Sequence, residues 1–325
     1  MATGLIALDW GTSSLRAYRM DTRGEVLDSR HLPFGIMALP PAPDGIADAS
    51  TGSAFERAFD AACGDWLRAE PRLAIVACGM VGSAQGWREA AYLDLPCRLD
   101  GLASGLVQVV RGDATPVHII PGLIQRGALP NVMRGEETQV AGVLASLPPA
   151  LAGHDDLLIA LPGTHCKWVS VRDAEVVGFT TFMTGEVYGA LCSHTLLGRT
   201  MQPAAAPDEA AFARGVNVAG SGAGRMGPLS TVFSSRTLGL TGQLANTSQA
   251  DYLSGLLIGH EVASMAASLG HDRRKPRIVL CGDPALCRRY AFALAAQRLE
   301  TPAFATDATQ RGLWQIATTA GLVRA

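Results

Sequence analysis

The chain has 325 residues and a mass of 34.0 kDa, room for about two domains at ~150 residues each. Hydrophobic residues make up 48% and charged residues 17%, which excludes a disordered chain and allows a large core. A formal charge of −2 with pI ≈ 6.4 offers no basic footprint for nucleic acid and no cationic face for a membrane.

In chain order, Leu5–Leu8 is a short apolar run that ends at Asp9-Trp-Gly-Thr-Ser-Ser14. Leu15–Met20 follows, then a turn at Asp21–Gly24, so strand, turn, strand is the simplest reading. The first residues run directly into this strand, so no signal sequence is expected. Pro33–Gly52 is rich in proline and small polar residues and is expected to be loop. Phe55, Phe59, Ala62 and Trp66 recur at helical spacing until Pro71 stops the pattern.

Leu73–Cys78 reads as a buried strand running into Gly79-Met-Val-Gly82-Ser83, and Pro116–Ile120 as another. Gly135–Ala145 has helical character, with Glu136 and Glu137 in its first turn, where carboxylates complement the helix dipole. Residues 201–250 lack pattern and are rich in Ala, Pro, Gly and Ser. Asp251–Leu269 is a predicted helix, Arg277–Cys281 a strand meeting Gly282, and Leu286–Leu299 a final helix. Strands alternating with helices imply an α/β architecture.

The segment Leu5–Tyr18 is echoed by Leu158–Val171: each has an apolar strand, a Gly-Thr turn and a second strand. The echo suggests a duplicated domain, each half donating one turn to a polyphosphate. In the first turn, glycine lets backbone N–H groups approach a phosphate, while Thr12 and Ser13 add hydroxyls. Asp9 is placed to hold Mg²⁺ beside phosphates. The same turn also has the chemistry of an ordinary hairpin.

No P-loop exists, because neither lysine, Lys167 or Lys275, follows the required glycine spacing. Gly222-Ala-Gly224-Arg-Met-Gly227 matches a dinucleotide fingerprint by letter only, since it leads into Pro228 without the following acidic residue. Seven scattered cysteines without a C-x-x-C pair read as buried thiols of a reducing compartment, hence a cytoplasmic protein, and no run approaches a membrane span. His165 and Cys166 are adjacent on a strand, which turns them to opposite faces and disfavours a nucleophile pair.

Several blocks, in order, resemble the 2-dehydro-3-deoxygalactonokinase family. They include Leu8–Ala17, Gly79–Trp87, Ile120–Leu123, Asn131–Gln139, Pro162–Trp168, Met183–Glu186 and Tyr252–Gly259. The resemblance implies two related actin-like, ribonuclease-H-like ATPase domains with mixed sheets and an interdomain cleft, divided as 1–133 and 134–325. It implies ATP and Mg²⁺ as cofactors and a sugar acid phosphorylated on its 6-hydroxyl. It assigns Asp9, Gly11, Thr12 and Ser13 to the first phosphate motif, with Asp9 at the metal. Gly163 and Thr164 match the second motif, and Gly282 opens the adenosine motif, followed by Leu286 and Arg289-Tyr290.

The catalytic acid after glycine at a helix start falls on Glu136 or Glu137. For the sugar acid, Gly82, Ser83 and Trp87 are the expected wall, and Arg16, Arg88 and Lys167 the cations open to its carboxylate. No nucleic-acid or membrane partner is expected, and a homodimer is left open. The rival activities are a phosphatase or ATPase on this fold, a kinase for another sugar acid, and a sugar-sensing regulator.

Overall fold

A computed structural model describes residues 2–42, 52–112, 115–147, 151, 156–269 and 276–323. The Pro33–Gly52 loop expectation therefore lies partly outside the described residues, over 43–51. The strands are β1 (Thr3–Trp10), β2 (Leu15–Asp21), β3 (Val26–Leu32), β4 (Ala74–Cys78), β5 (Leu93–Asp94), β6 (Cys97–Arg98), β7 (Val107–Val110) and β8 (Pro116–Ile119). They continue with β9 (Leu123–Gln125), β10 (Asn131–Met133), β11 (Asp156–Leu161), β12 (Cys166–Arg172), β13 (Glu175–Phe182), β14 (Arg277–Cys281) and β15 (Ala303–Ala305). The helices are α1 (Ala54–Ala69), α2 (Leu99–Ser104), α3 (Glu136–Ala145), α4 (Thr184–His194) and α5 (Glu209–Ala219). After them come α6 (Pro228–Thr231), α7 (Ser234–Leu240), α8 (Gln249–Leu269), α9 (Pro284–Ala296) and α10 (Ala308–Thr319).

Two compact units result. The first comprises Met1–Ala152, Val171–Phe179 and Thr306–Ala325; the second comprises Gly153–Ser170 and Thr180–Ala305. In the first unit the strand order is β3-β2-β1-β4-β8-β7. Here β1 pairs antiparallel with β2 and parallel with β4, and β4 pairs parallel with β8. Ile6, Leu8 and Trp10 alternate inward along β1 and join Leu15, Phe59 and Trp66 in one buried cluster, as the period of two requires.

The other six-stranded sheet runs β15-β14-β11-β12-β13-β6, with β11 parallel to β14 and β14 parallel to β15. Both sheets contain a four-strand run of the same order, β3-β2-β1-β4 and β13-β12-β11-β14. The echo of 5–18 in 158–171 is thus the first hairpin, β1–β2 and β11–β12, of two such runs. The mixed α/β class expected from the sequence is the one observed.

The units do not divide at 133/134. Helices α3 and α10 belong to the first unit, because they cross through Gly142 and Gly312. A Cβ on Gly312 would overlap the Thr138 carbonyl oxygen, and one on Gly142 the Ala308 carbonyl oxygen. The second unit repeats the device where Gly215 of α5 meets Gly255 of α8. This crossing also corrects the unpatterned reading of 201–250, which contains α5, α6 and α7. Glycines at packing positions and a run of alanines blur the apolar period, while Asp208 still caps α5 by accepting from the Ala211 N–H at 2.9 Å.

All seven cysteines are free, and all but the half-buried Cys192 are buried. Among the described residues no helix is long and apolar enough to cross a membrane.

Candidate active site

In the first unit three turns meet at the carboxyl ends of β1 and β4. The Gly11–Ser14 turn closes through the Gly11 N–H to the Ser14 carbonyl, 2.9 Å. The loop after β3 braces it from below: the N–H groups of Ile36 and Met37 donate to the carbonyls of Gly11 and Thr12, each at 3.1 Å. Thr12 and Ser13 are exposed above that brace. Gly79 has φ +91°, and a Cβ there would lie 2.8 Å from the Trp10 carbonyl oxygen. Gly135, with φ +111°, comes so close that its own Cβ would lie 3.4 Å from the Gly79 Cα. Only glycine satisfies both the φ and the approach.

Asp9 faces Arg16 across the β1–β2 ladder, and the register produces an ion pair at 3.1 Å. Its carboxyl is raised above the usual aspartate range because burial outweighs the opposing pull of Arg16. The side chain is nonetheless 22% exposed, so an oxygen stays within reach of a ligand. Arg16, expected at the substrate carboxylate, is committed to Asp9.

Helix α3 begins at Gly135 without a side-chain cap from the residue before it; its own glutamates do the capping. Glu136 folds back to accept the Arg134 N–H at 3.0 Å, and Glu137 accepts the Gly135 N–H at 2.7 and 2.9 Å. These bonds satisfy donors that a helix start leaves orphaned. The two carboxylates then part company. Glu137 is 0% exposed and also accepts from the Thr138 hydroxyl at 3.1 Å, whereas Glu136 is only half-buried. Burial first, and the Glu136 charge second, push the Glu137 carboxyl up to about 7.

That shift has a sign that can be measured. The folded state holds the Glu137 proton over a range where the unfolded chain has released it, so stability falls as pH rises from about 4.5 to about 7. Glu137→Gln removes the titration, and its stability relative to the wild type is expected to rise by about 2 kcal/mol between pH 5 and 8. Thermal unfolding of both proteins across that range is the check; a constant difference would mean that Glu137 ionises at an ordinary carboxylate pH.

Gly82 and Ser83 follow Gly79 and adjoin Arg134. A Cβ on Gly82 would lie 2.8 Å from Ile119 Cγ2 and 3.0 Å from Arg134 Nη1. Arg134 Nη2 donates to the Ala90 carbonyl at 2.8 Å, and the guanidinium sits 4.3 Å above the Tyr92 ring. Its Nε and Nη1, together with Ser83 Oγ, are buried without hydrogen-bond partners among the described residues. Sequence reasoning missed Arg134. It lies inside the Asn131–Gln139 block, but nothing local separates it from a solvated arginine. Trp87 forms no isolated wall: it joins Trp10, Phe55 and Phe59 in an aromatic group, stacked on Phe55 at 6.0 Å. Arg88 is exposed.

In the second unit a cleft of about 350 Å³ opens beside Gly163 and Thr164, lined further by Thr184, Tyr188, Leu286 and Arg289. Gly185 permits α4 to press on the turn, where a Cβ would lie 2.8 Å from the Thr164 Cα, and the Glu186 N–H donates to the Thr164 carbonyl at 3.0 Å. His165 pairs through Nε2 with the Glu186 carboxylate, while its neighbour Cys166 is buried. Gly282 ends β14 beside the same turn; its Cβ would be 3.2 Å from the Pro162 carbonyl oxygen. Asp283 caps α9, accepting from the Leu286 N–H at 2.9 Å.

Arg289 is fixed by Asp251 and by Ser254 Oγ at 3.1 Å. Lys167 is 5% exposed, its Nζ donating to Thr181 Oγ1 at 2.9 Å, so it is built into β12 rather than offered to a ligand. The Gly222–Gly227 segment forms a short 3-10 turn that leads into α6, with Pro228 as its first residue.

Comparison with known proteins finds relatives over almost the whole chain. The model of the family described as 2-keto-3-deoxy-galactonokinase matches residues 9–316. The chain is 34% identical over 322 residues to the 2-dehydro-3-deoxygalactonokinase of Escherichia coli (strain K12), covering 98% of each. It is 37% identical over 318 residues to a relative from Rhizobium meliloti (strain 1021), covering 94% of each. Among solved structures, a candidate 2-dehydro-3-deoxygalactonokinase from Sinorhizobium meliloti superposes with TM-score 0.80 at 34% identity, over 96% of this chain and 98% of that one.

Proposed function

Because the chain belongs to the 2-keto-3-deoxy-galactonokinase family, we propose that it moves the γ-phosphoryl group of ATP to the 6-hydroxyl of 2-dehydro-3-deoxygalactonate, with Glu136 as general base. The observation carrying the residue assignment is the split between neighbouring glutamates. Glu137 is sealed from solvent and cannot reach the hydroxyl of an incoming acceptor, whereas Glu136 is half-buried and accessible at the start of α3. Glu136 orients the acceptor hydroxyl and takes its proton as the oxygen bonds to phosphorus and ADP departs. Glu137 supports it by holding the Gly135 N–H and so fixing the first turn.

In the first unit the N–H groups and hydroxyls of Thr12 and Ser13 suit phosphate, with Gly11 leaving room for the approach, and in the second unit the N–H groups of Gly163 and Thr164 with the Thr164 hydroxyl do the same. The cleft beside Gly163, with Tyr188, Leu286 and Arg289, takes the adenosine, and Gly282 keeps the neighbouring strand end close. The sugar-acid carboxylate goes to Arg134 and Ser83. A buried guanidinium with two unsatisfied nitrogens pays a desolvation cost that an arriving carboxylate relieves through charge-assisted hydrogen bonds.

Among the described residues no group of three or more His, Cys, Asp or Glu side chains is placed to cage a metal ion. The single accessible carboxylate of Asp9 does fit Mg²⁺, which takes one or two carboxylates beside substrate phosphates and keeps its waters. When bound, that ion would neutralise charge on the nucleotide phosphates. The buried free thiols suit a reducing, cytoplasmic setting.

An ADP-release assay with MgATP tests the reaction, using 2-dehydro-3-deoxygalactonate, its gluconate epimer, glycerol, gluconate and no acceptor. Release with the galactonate derivative alone, with a phosphorylated product by mass, is the expected result. Release with another acceptor corrects the substrate, and equal release without any acceptor makes the protein an ATPase or phosphatase.

A further inference from the structure

The first unit contains a second polar cleft, of about 480 Å³, between the β2–β3 turn and the first turns of α10. Its volume lies within the ~300–1,000 Å³ usual for small-molecule sites. We propose that it binds a phosphorylated polyhydroxy compound at a site separate from the phosphate turns.

Four features carry the proposal. Arg23 and Arg311 line the cleft, and neither guanidinium has a hydrogen-bond or ion-pair partner among the described residues. Two such groups suit a phosphate dianion, which guanidinium forks bind in bidentate fashion. Trp314 supplies a fixed ring: it packs on Gly24, whose φ is +86° and whose Cβ would lie 2.8 Å from the ring carbons. An indole wall favours the C–H face of a sugar.

Tyr18 also lines the cleft, the residue only 8% exposed, and its hydroxyl makes no hydrogen bond to another described residue and is open to a ligand in the cleft. Gln310, Gln315 and Ser29 add polar lining for hydroxyls, and the carboxylates of Glu25 and Asp307 line the cleft as hydroxyl acceptors. Asp307 sits at the start of α10 in the left-handed region, φ +55°, a conformation that costs free energy and recurs at ligand sites.

Occupancy would be felt at the reaction centre. Burial raises the Tyr18 hydroxyl to about 12, and the charges of Asp9 and Asp307 add to that rise against the pull of Arg16. Helix α10 crosses α3, which starts at Glu136, and Gln139 Nε2 donates to Thr309 Oγ1 at 3.3 Å. A ligand gripping α10 thereby bears on the helix that holds the base.

Calorimetric titration with gluconate 6-phosphate, AMP and inorganic phosphate tests the site, on wild type and on the Arg23→Glu, Arg311→Glu double variant. The wild type is expected to take two equivalents of gluconate 6-phosphate. The double variant should take one, its second affinity falling at least tenfold, with kcat and KM unchanged. In steady-state kinetics the compound should then lose its noncompetitive effect and keep only competition with the sugar acid. Arg311→Gln alone repeats the test should the double variant fail to fold.

AMP binding with the same arginine dependence would assign the sugar phosphate to a nucleotide. Equal stoichiometry and affinity in the wild type and the double variant overturn the proposal; so does inorganic phosphate binding as tightly as the sugar phosphates. The comparison reads only the equivalent that depends on the two arginines, whatever the phosphate turns bind, so it stands or falls apart from the kinase assignment.

Discussion

Glu136→Gln is expected to lower kcat roughly 10³-fold, within the 10²–10⁴ range that a positioned general base supplies. The amide keeps an oxygen to accept the Arg134 N–H, so the start of α3 survives and the loss is chemical rather than structural. Binding of MgADP, measured by calorimetry, should stay within about twofold of the wild type, because no nucleotide-binding group is altered. Glu137→Gln is the informative contrast. The Glu137 oxygens are sealed behind the first turn, so kcat of the variant should fall by less than tenfold while its stability relative to the wild type rises with pH. A wild-type rate for Glu136→Gln, or a larger loss at Glu137, would reverse the two roles.

Gly312→Ala is expected to destabilise the protein by roughly 3 kcal/mol, the upper part of the usual range for overpacking. The reason is geometric. The new methyl would collide with the Thr138 carbonyl oxygen, and with the Gly142 nitrogen at 3.0 Å, which are backbone atoms that cannot rotate away. Relief requires α10 to move off α3, and α3 carries both glutamates. A drop in Tm of roughly 6–12 °C should therefore come with a lower kcat. Gly163→Ala is the control, since a Cβ there meets nothing within 4 Å. It should leave Tm within about 1 °C and raise KM for MgATP, because the methyl stands where a phosphate must approach. Equal thermal losses in the two variants would remove the helix crossing as the cause.

The parts of this fold that were legible from sequence are those encoded locally. Alternating apolar residues in 5–18 and 158–171, each broken by a Gly-Thr turn, mark the two central hairpins. The four-strand run that the two sheets share places both hairpins at the same point of the same order. What stayed hidden depends on partners distant in the chain. Nothing in Arg-Gly-Glu-Glu tells which carboxylate is buried; that follows from how α3 lies against the sheet and α10. Lys167 looked available because lysine is otherwise scarce, yet β12 carries it inward to Thr181. Arg134 was invisible for the opposite reason: one of many arginines, it is distinguished only by Gly82, Ala90 and Tyr92 closing around it. The division between units was illegible because α3 and α10 meet across most of the chain.

That last contact bears on the order of events during synthesis. Domains tend to fold as they emerge from the ribosome, N-terminal first. The first unit cannot follow that order to completion, since Thr306–Ala325 is translated after every strand of the second. Until α10 arrives, α3 lacks the surface against which Gly142 packs, and the nascent first sheet has one side bare. The segment holding Asp9 and Glu136 is thus made early and completed only after the strands that follow it, which makes α10 a checkpoint on the assembly of what precedes it.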